Sequence, residues 1–102
     1  MQRRSGRAQA MRESDAEALA ATALAFLAED AGRLVAFCRA AGIEPTSLAA
    51  SAGERETLRA VLEHLAGDES MLLVFTSTRD IGPDAIHAAI RLLGGGGYVA
   101  ST

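Results

Sequence analysis

Very few residues of this chain have side chains suited to catalysis or metal binding. His64 and His87 are the only histidines, and Cys38 is the only cysteine. Enzymes and metal sites hold such groups at defined spacings, as in HExxH or paired CxxC motifs, and neither motif occurs. Glu63, His64 and Asp68 could form a proton relay, but a histidine near acids at a helix end is usually structural or solvated. We therefore predict a protein that is not an enzyme, with no catalytic residue, no cofactor and no metal.

Two other features resemble functional motifs. The acidic pairs Glu29-Asp30 and Asp68-Glu69 have groups suited to acid–base catalysis, but each aspartate stands where a helix N-cap is expected. Gly94–Gly97 resembles a phosphate-binding loop, yet the chain has no lysine and no helix is predicted to follow. We interpret these features as helix caps and as a flexible Gly-rich tail over residues 94–102.

The composition favours a single helical domain. The chain has 102 residues, of which 49% are hydrophobic but only 4% aromatic, so its core must be built from Leu, Ala, Val and Ile. Alanine, the strongest helix former, is abundant. All ten basic residues are arginine. Residues 13–102 contain six of these arginines and all thirteen acids. This excess of acids argues against binding of nucleic acid by the folded part of the chain.

The remaining four arginines lie in the first twelve residues, where no acid occurs. We predict a disordered basic arm over residues 1–13, in which Arg3, Arg4 and Arg7 could contact nucleic acid. The longest apolar run, Ala18–Ala28, is too short to span a bilayer. The lone Cys38 fits a reducing compartment. A cytoplasmic protein without a membrane segment is therefore expected.

Capping residues predict where the first two helices begin and end. Ser14 and Glu17 have the spacing of a capping box, so a helix should follow Ser14 and run to about residue 29. Asp30 should cap a second helix, and Gly42 suits its left-handed end.

The third helix is predicted from a proline. Pro45 can occupy the first helical position, because proline has no amide hydrogen to leave unbonded there. Ile43 and Leu48 then have the spacing of a hydrophobic staple, and the helix should run from Pro45 to about residue 52.

The second half of the chain has the same kinds of residues at its predicted helix starts. A fourth helix is predicted over about residues 54–66, Asp68 should cap a fifth, and Pro83 should open a sixth that reaches Leu93. The expected fold is all-α, a compact bundle of about six helices over residues 14–93.

The two halves repeat each other at an offset of 38 residues. Of the 27 positions from 24 to 50, nine have the identical residue in the second half. The matches include the caps, the staple residues and the apolar face: Asp30 with Asp68, Phe37 with Phe75, Ile43 with Ile81 and Pro45 with Pro83, while Leu48 corresponds to Ile86. We therefore predict two tandem three-helix units, about 16–52 and 54–93, related by a pseudo-twofold axis and covering each other's apolar faces.

Several segments together resemble a known family. They are residues 15–20, 23–30, 41–45, 61–65 and 81–86. In their order and in their Asp, Gly and Pro punctuation they resemble a family of small, uncharacterised alphaproteobacterial helical proteins, the domain of unknown function of family 3572. No catalytic residue or ligand is established for that family, so the resemblance implies none here. Its members commonly start near the position of Met11, so residues 1–10 could reflect a misplaced start codon.

One segment, residues 37–51, resembles the helix-turn-helix of TetR-type repressors in its Gly turn and its anchoring Leu48. However, no arginine lies between Arg39 and Arg55, and acids flank the helix that would enter the major groove of DNA. These acids would repel the phosphates, and no basic residue offsets them. We favour a non-catalytic helical module that binds another, unidentified protein through a helical groove or an exposed apolar patch. The alternative is a small DNA-associated regulator that uses residues 37–51 together with the N-terminal arginine arm.

Overall fold

A computed structural model describes residues 11–94, and over that range the chain forms six α-helices and no strand. The helices are α1 (Glu13–Ala28), α2 (Ala31–Ala41), α3 (Pro45–Ser51), α4 (Arg55–Ala66), α5 (Glu69–Arg79) and α6 (Pro83–Leu93). The predicted all-α bundle of six helices is confirmed.

Helices α2 and α5 begin at the predicted aspartates. The Asp30 carboxylate accepts a hydrogen bond from the Arg33 amide at 3.0 Å, and that of Asp68 accepts from the Met71 amide at 3.1 Å. Each carboxylate satisfies an amide that has no partner within its helix. The short loops before α2 and α5 are fixed by these bonds.

The same two helices end in left-handed residues. Gly42 has φ +72°, as predicted, and Asp80 has φ +56°. The following amide then bonds back into the helix, from Ile43 to the Cys38 carbonyl at 2.9 Å and from Ile81 to the Thr76 carbonyl at 3.0 Å. This geometry turns the chain sharply toward the next helix.

Both prolines open a helix, as predicted. Pro45 and Pro83 are the first residues of α3 and α6, and each follows a residue in extended backbone. Leu48 and Ile86, four positions after the N-cap residues, are both buried.

The predicted start of α1 is wrong. The N-cap is Arg12 rather than Ser14, and the Arg12 amide donates to the Asp15 carboxylate at 3.0 Å. Ser14 and Glu17 therefore lie inside the helix and are exposed. Ala16 lies in the first turn of this helix and is completely buried. The helix thus begins two residues before the start that the Ser14 capping pattern predicted.

Residues 12 and 13, which were predicted to belong to the basic arm, form the start of α1. Residues 1–10, with Arg3, Arg4 and Arg7, lie outside the described residues. The same is true of the predicted tail over residues 95–102.

Three helices form the centre of the bundle. α1, α4 and α6 pack against one another, while α2 lies against α1 and α4 and α5 lies against α4. α1 presents Ala16, Ala20 and Ala23 to its neighbours, all fully buried. Alanine at this spacing keeps one helix face small, so other helices approach closely. The largest fully buried side chains are Phe37, Phe75, Leu27, Leu62, Leu65 and Ile86.

The two helices that begin with proline are placed differently. α6 has eleven residues and packs against α1 and α4, whereas α3 has seven residues and packs against α2. Ile86 and Leu93 of α6 belong to the core, as does Leu48 of α3 near the core's edge. The third helices of the two halves are thus not used in the same way.

Within residues 11–94 we find no helix of the length and apolarity needed to cross a lipid bilayer.

Candidate interaction surface

Large apolar side chains are exposed on two neighbouring helices. Val35 of α2 is 43% exposed, and Leu73 and Val74 of α5 are 56% and 50% exposed. Single exposed apolar residues are common on soluble proteins, but a cluster usually marks a binding surface. The outer faces of α2 and α5 are therefore the first candidate surface.

The sequence of α5 explains this exposure. Residues 71–75 are five consecutive apolar residues, and at 3.6 residues per turn they point in all directions around the helix. Only Phe75 is fully buried. A helix that is apolar on every side is normally covered on every side. α5 is covered only on the side that faces the bundle.

A groove of about 500 Å³ runs between α2 and α5. Phe26 and His64, near the ends of α1 and α4, lie at its base together with residues of both walls. The residues that line it are Phe26, Gly32, Arg33, Ala36, His64, Asp68, Ser70, Met71 and Val74. Small residues on the α2 wall keep the groove wide.

The lining of this groove follows the 38-residue offset. Eight of its nine residues form four pairs separated by 38 positions: Phe26 and His64, Gly32 and Ser70, Arg33 and Met71, Ala36 and Val74. None of these pairs is identical in residue type. These pairs are therefore in addition to the identical residues found in the sequence.

Two aromatic contacts obey the same offset. Phe26 and Phe75 meet edge to face, with ring centroids 5.2 Å apart and an interplanar angle of 64°. Phe37 and His64, which are the counterparts of Phe75 and Phe26, meet at 5.5 Å and 67°. Edge-to-face packing is a favoured aromatic geometry. Each half thus inserts its phenylalanine beside a ring from the other half.

Two arginines lie beside the Phe26 ring at the base of the groove. The Arg33 guanidinium lies 4.2 Å from the centroid of the Phe26 ring and donates to the Phe26 carbonyl at 3.0 Å. Arg79 lies 5.7 Å from the same centroid and pairs with Glu29 at 2.8 Å. These contacts combine cation–π attraction with bonding to a carbonyl at the end of α1. Both arginines therefore serve the packing of Phe26 first.

The residues considered for chemistry lie in different surroundings within the described range. Cys38 is a free thiol with 1% exposure in the core, and His87 is exposed on α6. Asp68 lines the groove with His64, but its carboxylate is bonded to the Met71 amide as a cap. Over residues 11–94, no three His, Cys, Asp or Glu residues lie close enough together to hold a metal ion.

The segment that resembles a helix-turn-helix lies beside a different, acidic groove. Glu54, Glu56 and Glu63 line this groove of about 480 Å³ at the start of α4. Arg59, also in its lining, pairs with Glu63 at 3.1 Å. Thr46 and Ser47 on α3 are exposed and uncharged. The surroundings of α3 therefore repel phosphate rather than attract it.

The sequence interpretation did not single out Val35, Val74, Arg33 or the ring of Phe26 as parts of a surface. The apolar run at residues 71–75 was the signal that could have identified α5, because it exceeds what one buried helix face requires. The position of the groove required knowledge of the tertiary packing.

The fold and surface define a small helical protein with an open apolar groove between two outer helices. The chain belongs to the family described as protein of unknown function DUF3572, whose profile matches residues 13–96. The resemblance seen in the sequence is thereby confirmed. Neither a curated protein nor a solved structure matches the chain.

Proposed function

We propose that this protein is a small non-catalytic interaction module that binds another protein through the α2–α5 face. We define this face as the outward positions of the two helices, namely Gly32, Val35, Ala36 and Arg39 of α2 and Ser70, Leu73, Val74 and Ser77 of α5. The observation that carries the proposal is that Val35, Leu73 and Val74, the exposed large apolar residues of the described range 11–94, all belong to it.

The charge distribution supports the same face. Charged residues make up 23% of the chain, yet Arg39 is the one charged residue among the eight positions of the face. The groove beneath also contains Arg33 and Asp68, but Arg33 is bonded to the Phe26 carbonyl and Asp68 to the Met71 amide. Depletion of charge together with enrichment in apolar groups is typical of the centre of a protein interface. A surface that only had to remain hydrated would have more charges.

We also propose that α1–α2 and α4–α5 are two copies of one helix pair, related by a pseudo-twofold axis through the groove. The paired caps, the paired aromatic contacts and the paired groove lining, all offset by 38 residues, support this. α3 and α6 have then diverged in position. Under this proposal the binding face contains one outer helix from each copy.

DNA binding through residues 37–51 has less support. The three glutamates of the neighbouring groove would face phosphates, and the only arginine in that groove is paired with one of them. A cytoplasmic location fits a module whose single thiol, Cys38, is free and buried.

Site-specific photocrosslinking tests the proposal. Benzoylphenylalanine in place of Leu73 should yield a discrete adduct in cells, whereas the same group in place of the exposed His87 on α6 should not. The captured protein, once identified and purified, should bind the wild-type chain. Its binding should be lost in Leu73→Glu and retained in His87→Glu, which adds the same charge on another helix. Equal adducts from both positions, or full binding by Leu73→Glu, would contradict the proposal.

A further inference from the structure

We infer that the occupant of the α2–α5 face is a second copy of this chain. Helices α2 and α5 of one molecule then pack face to face against α2 and α5 of the other. This inference rests on the proposed function and names the partner at the same face. Two observations support it, namely the width of the apolar surface and its low net charge, and the size of the surface sets the expected strength of the contact.

The apolar surface is wider than a single bound helix would cover. Ala36 and Val74 line the groove, whereas Val35 and Leu73 do not. Since successive helical residues differ by about 100° in direction, Val35 and Leu73 lie on the outer sides of their helices, away from the groove. One helix of about 10 Å diameter seated in the groove would leave both exposed. A second pair of helices would cover all four residues.

The neutrality of the face suits contact between identical molecules. The chain contains ten arginines and thirteen acids, so two copies each carry a net charge of −3 and repel each other. An isologous contact brings the same patch of both copies together, so a charge on it can meet its own copy. Among the eight positions of the α2–α5 face only Arg39 is charged, and the two charged groups in the groove, Arg33 and Asp68, are opposite in sign. The face is therefore a surface on which copies meet with little repulsion.

The size of the face limits the strength of the dimer. Each helix has eleven residues, so the face is about 16 Å long, and two adjacent helices make it about 20 Å wide. This footprint of about 320 Å² per copy is small for a protein interface, so only weak or transient association is expected. The dimer is expected to dissociate at about 10–100 µM, in the range of weak complexes.

Sedimentation velocity of the full chain tests the inference. Between about 5 and 500 µM, a range that brackets the expected dissociation constant, the wild-type protein should shift from its monomer mass of 10.6 kDa to twice that mass. Leu73→Glu and Val74→Glu should remain monomeric throughout. His87→Glu should dimerise like the wild type, and circular dichroism should show that all variants are folded.

The failures are distinguishable. A wild-type chain that stays monomeric to the highest concentration overturns the second-copy inference, as does a dimer that persists in Leu73→Glu. In either case the proposed function still stands if the Leu73 photocrosslink captures a different protein that Leu73→Glu no longer binds. If neither a dimer nor a face-dependent adduct is found, both proposals are wrong.

Discussion

Replacing Gly42 by alanine tests whether the left-handed end of α2 is maintained by glycine alone. The residue has φ +72°, a backbone conformation that L side chains rarely adopt. A Cβ built at this position meets no atom within 4 Å. The substitution therefore changes the conformational energy of the backbone and causes no steric clash.

The expected cost follows from two opposing effects. A left-handed conformation costs a residue with a Cβ about 1–2 kcal/mol. Alanine also reduces the freedom of the unfolded chain, which offsets about 0.4–1 kcal/mol of that cost. The free energy of unfolding should fall by about 1 kcal/mol, which lowers the Tm of a domain of this size by about 4–8 °C.

Asp80 provides the matched comparison. It occupies the corresponding position after α5, with φ +56°, and it carries the side chain that Gly42 lacks. Asp80→Gly removes the strain but increases the freedom of the unfolded chain, so we expect a net gain of up to about 0.5 kcal/mol. The two substitutions should therefore change stability in opposite directions.

Urea denaturation followed by far-ultraviolet circular dichroism measures both effects. The midpoint should fall for Gly42→Ala and rise slightly for Asp80→Gly, with an unchanged m value for each. A Gly42→Ala protein with the wild-type midpoint would refute the assigned backbone conformation. A decrease for Asp80→Gly would refute the equivalence of the two helix ends.

Three further outcomes are expected. Asp30→Ala and Asp68→Ala should each cost about 1 kcal/mol in thermal or urea unfolding, because each removes a cap bond, while Glu44→Ala, which removes no such bond, should cost less than about 0.5 kcal/mol. Cys38 should react with a thiol reagent only at the rate of opening or unfolding, so rapid modification under native conditions would contradict its burial. Arg55→Ala should lower the free energy of unfolding by less than about 1 kcal/mol, because its hydrogen bond to a carbonyl near the end of α6 and its ion pair with α1 are both exposed. A loss several times larger in urea unfolding would show that these contacts are stronger than their exposure implies.

The parts of the fold that were predictable from sequence are those set by local chemistry. Asp30 and Asp68 as caps, and Pro45 and Pro83 as first helical residues, depend on backbone groups only a few positions away. The start of α1 was not predictable in this way. There Ser14 offered a plausible cap, but the N-cap is Arg12, whose side chain makes no cap bond and gave no sequence signal of a helix start.

The candidate site depended on tertiary packing that local signals do not encode. Pro45 and Pro83 open helices in the same manner, yet α6 enters the centre of the bundle and α3 does not. The groove likewise results from how α2 and α5 are spaced over Phe26 and His64. Phe37 and Phe75, which the offset of 38 residues pairs, are both buried, but their neighbours, His64 and Phe26, could not be identified from the sequence.

The central position of α6 has a consequence for the order in which the chain can fold. Its contacts join residues 83–93 to α1, the first helix of the described chain. Completing the core therefore requires the chain to close a loop that spans all the helices between α1 and α6. During synthesis, the apolar sides of α1 and α4 that contact α6 stay uncovered until residue 93 has left the ribosome. A nascent chain that ends before α6 should therefore be a target for chaperones and proteases, even though five of its six helices are already encoded.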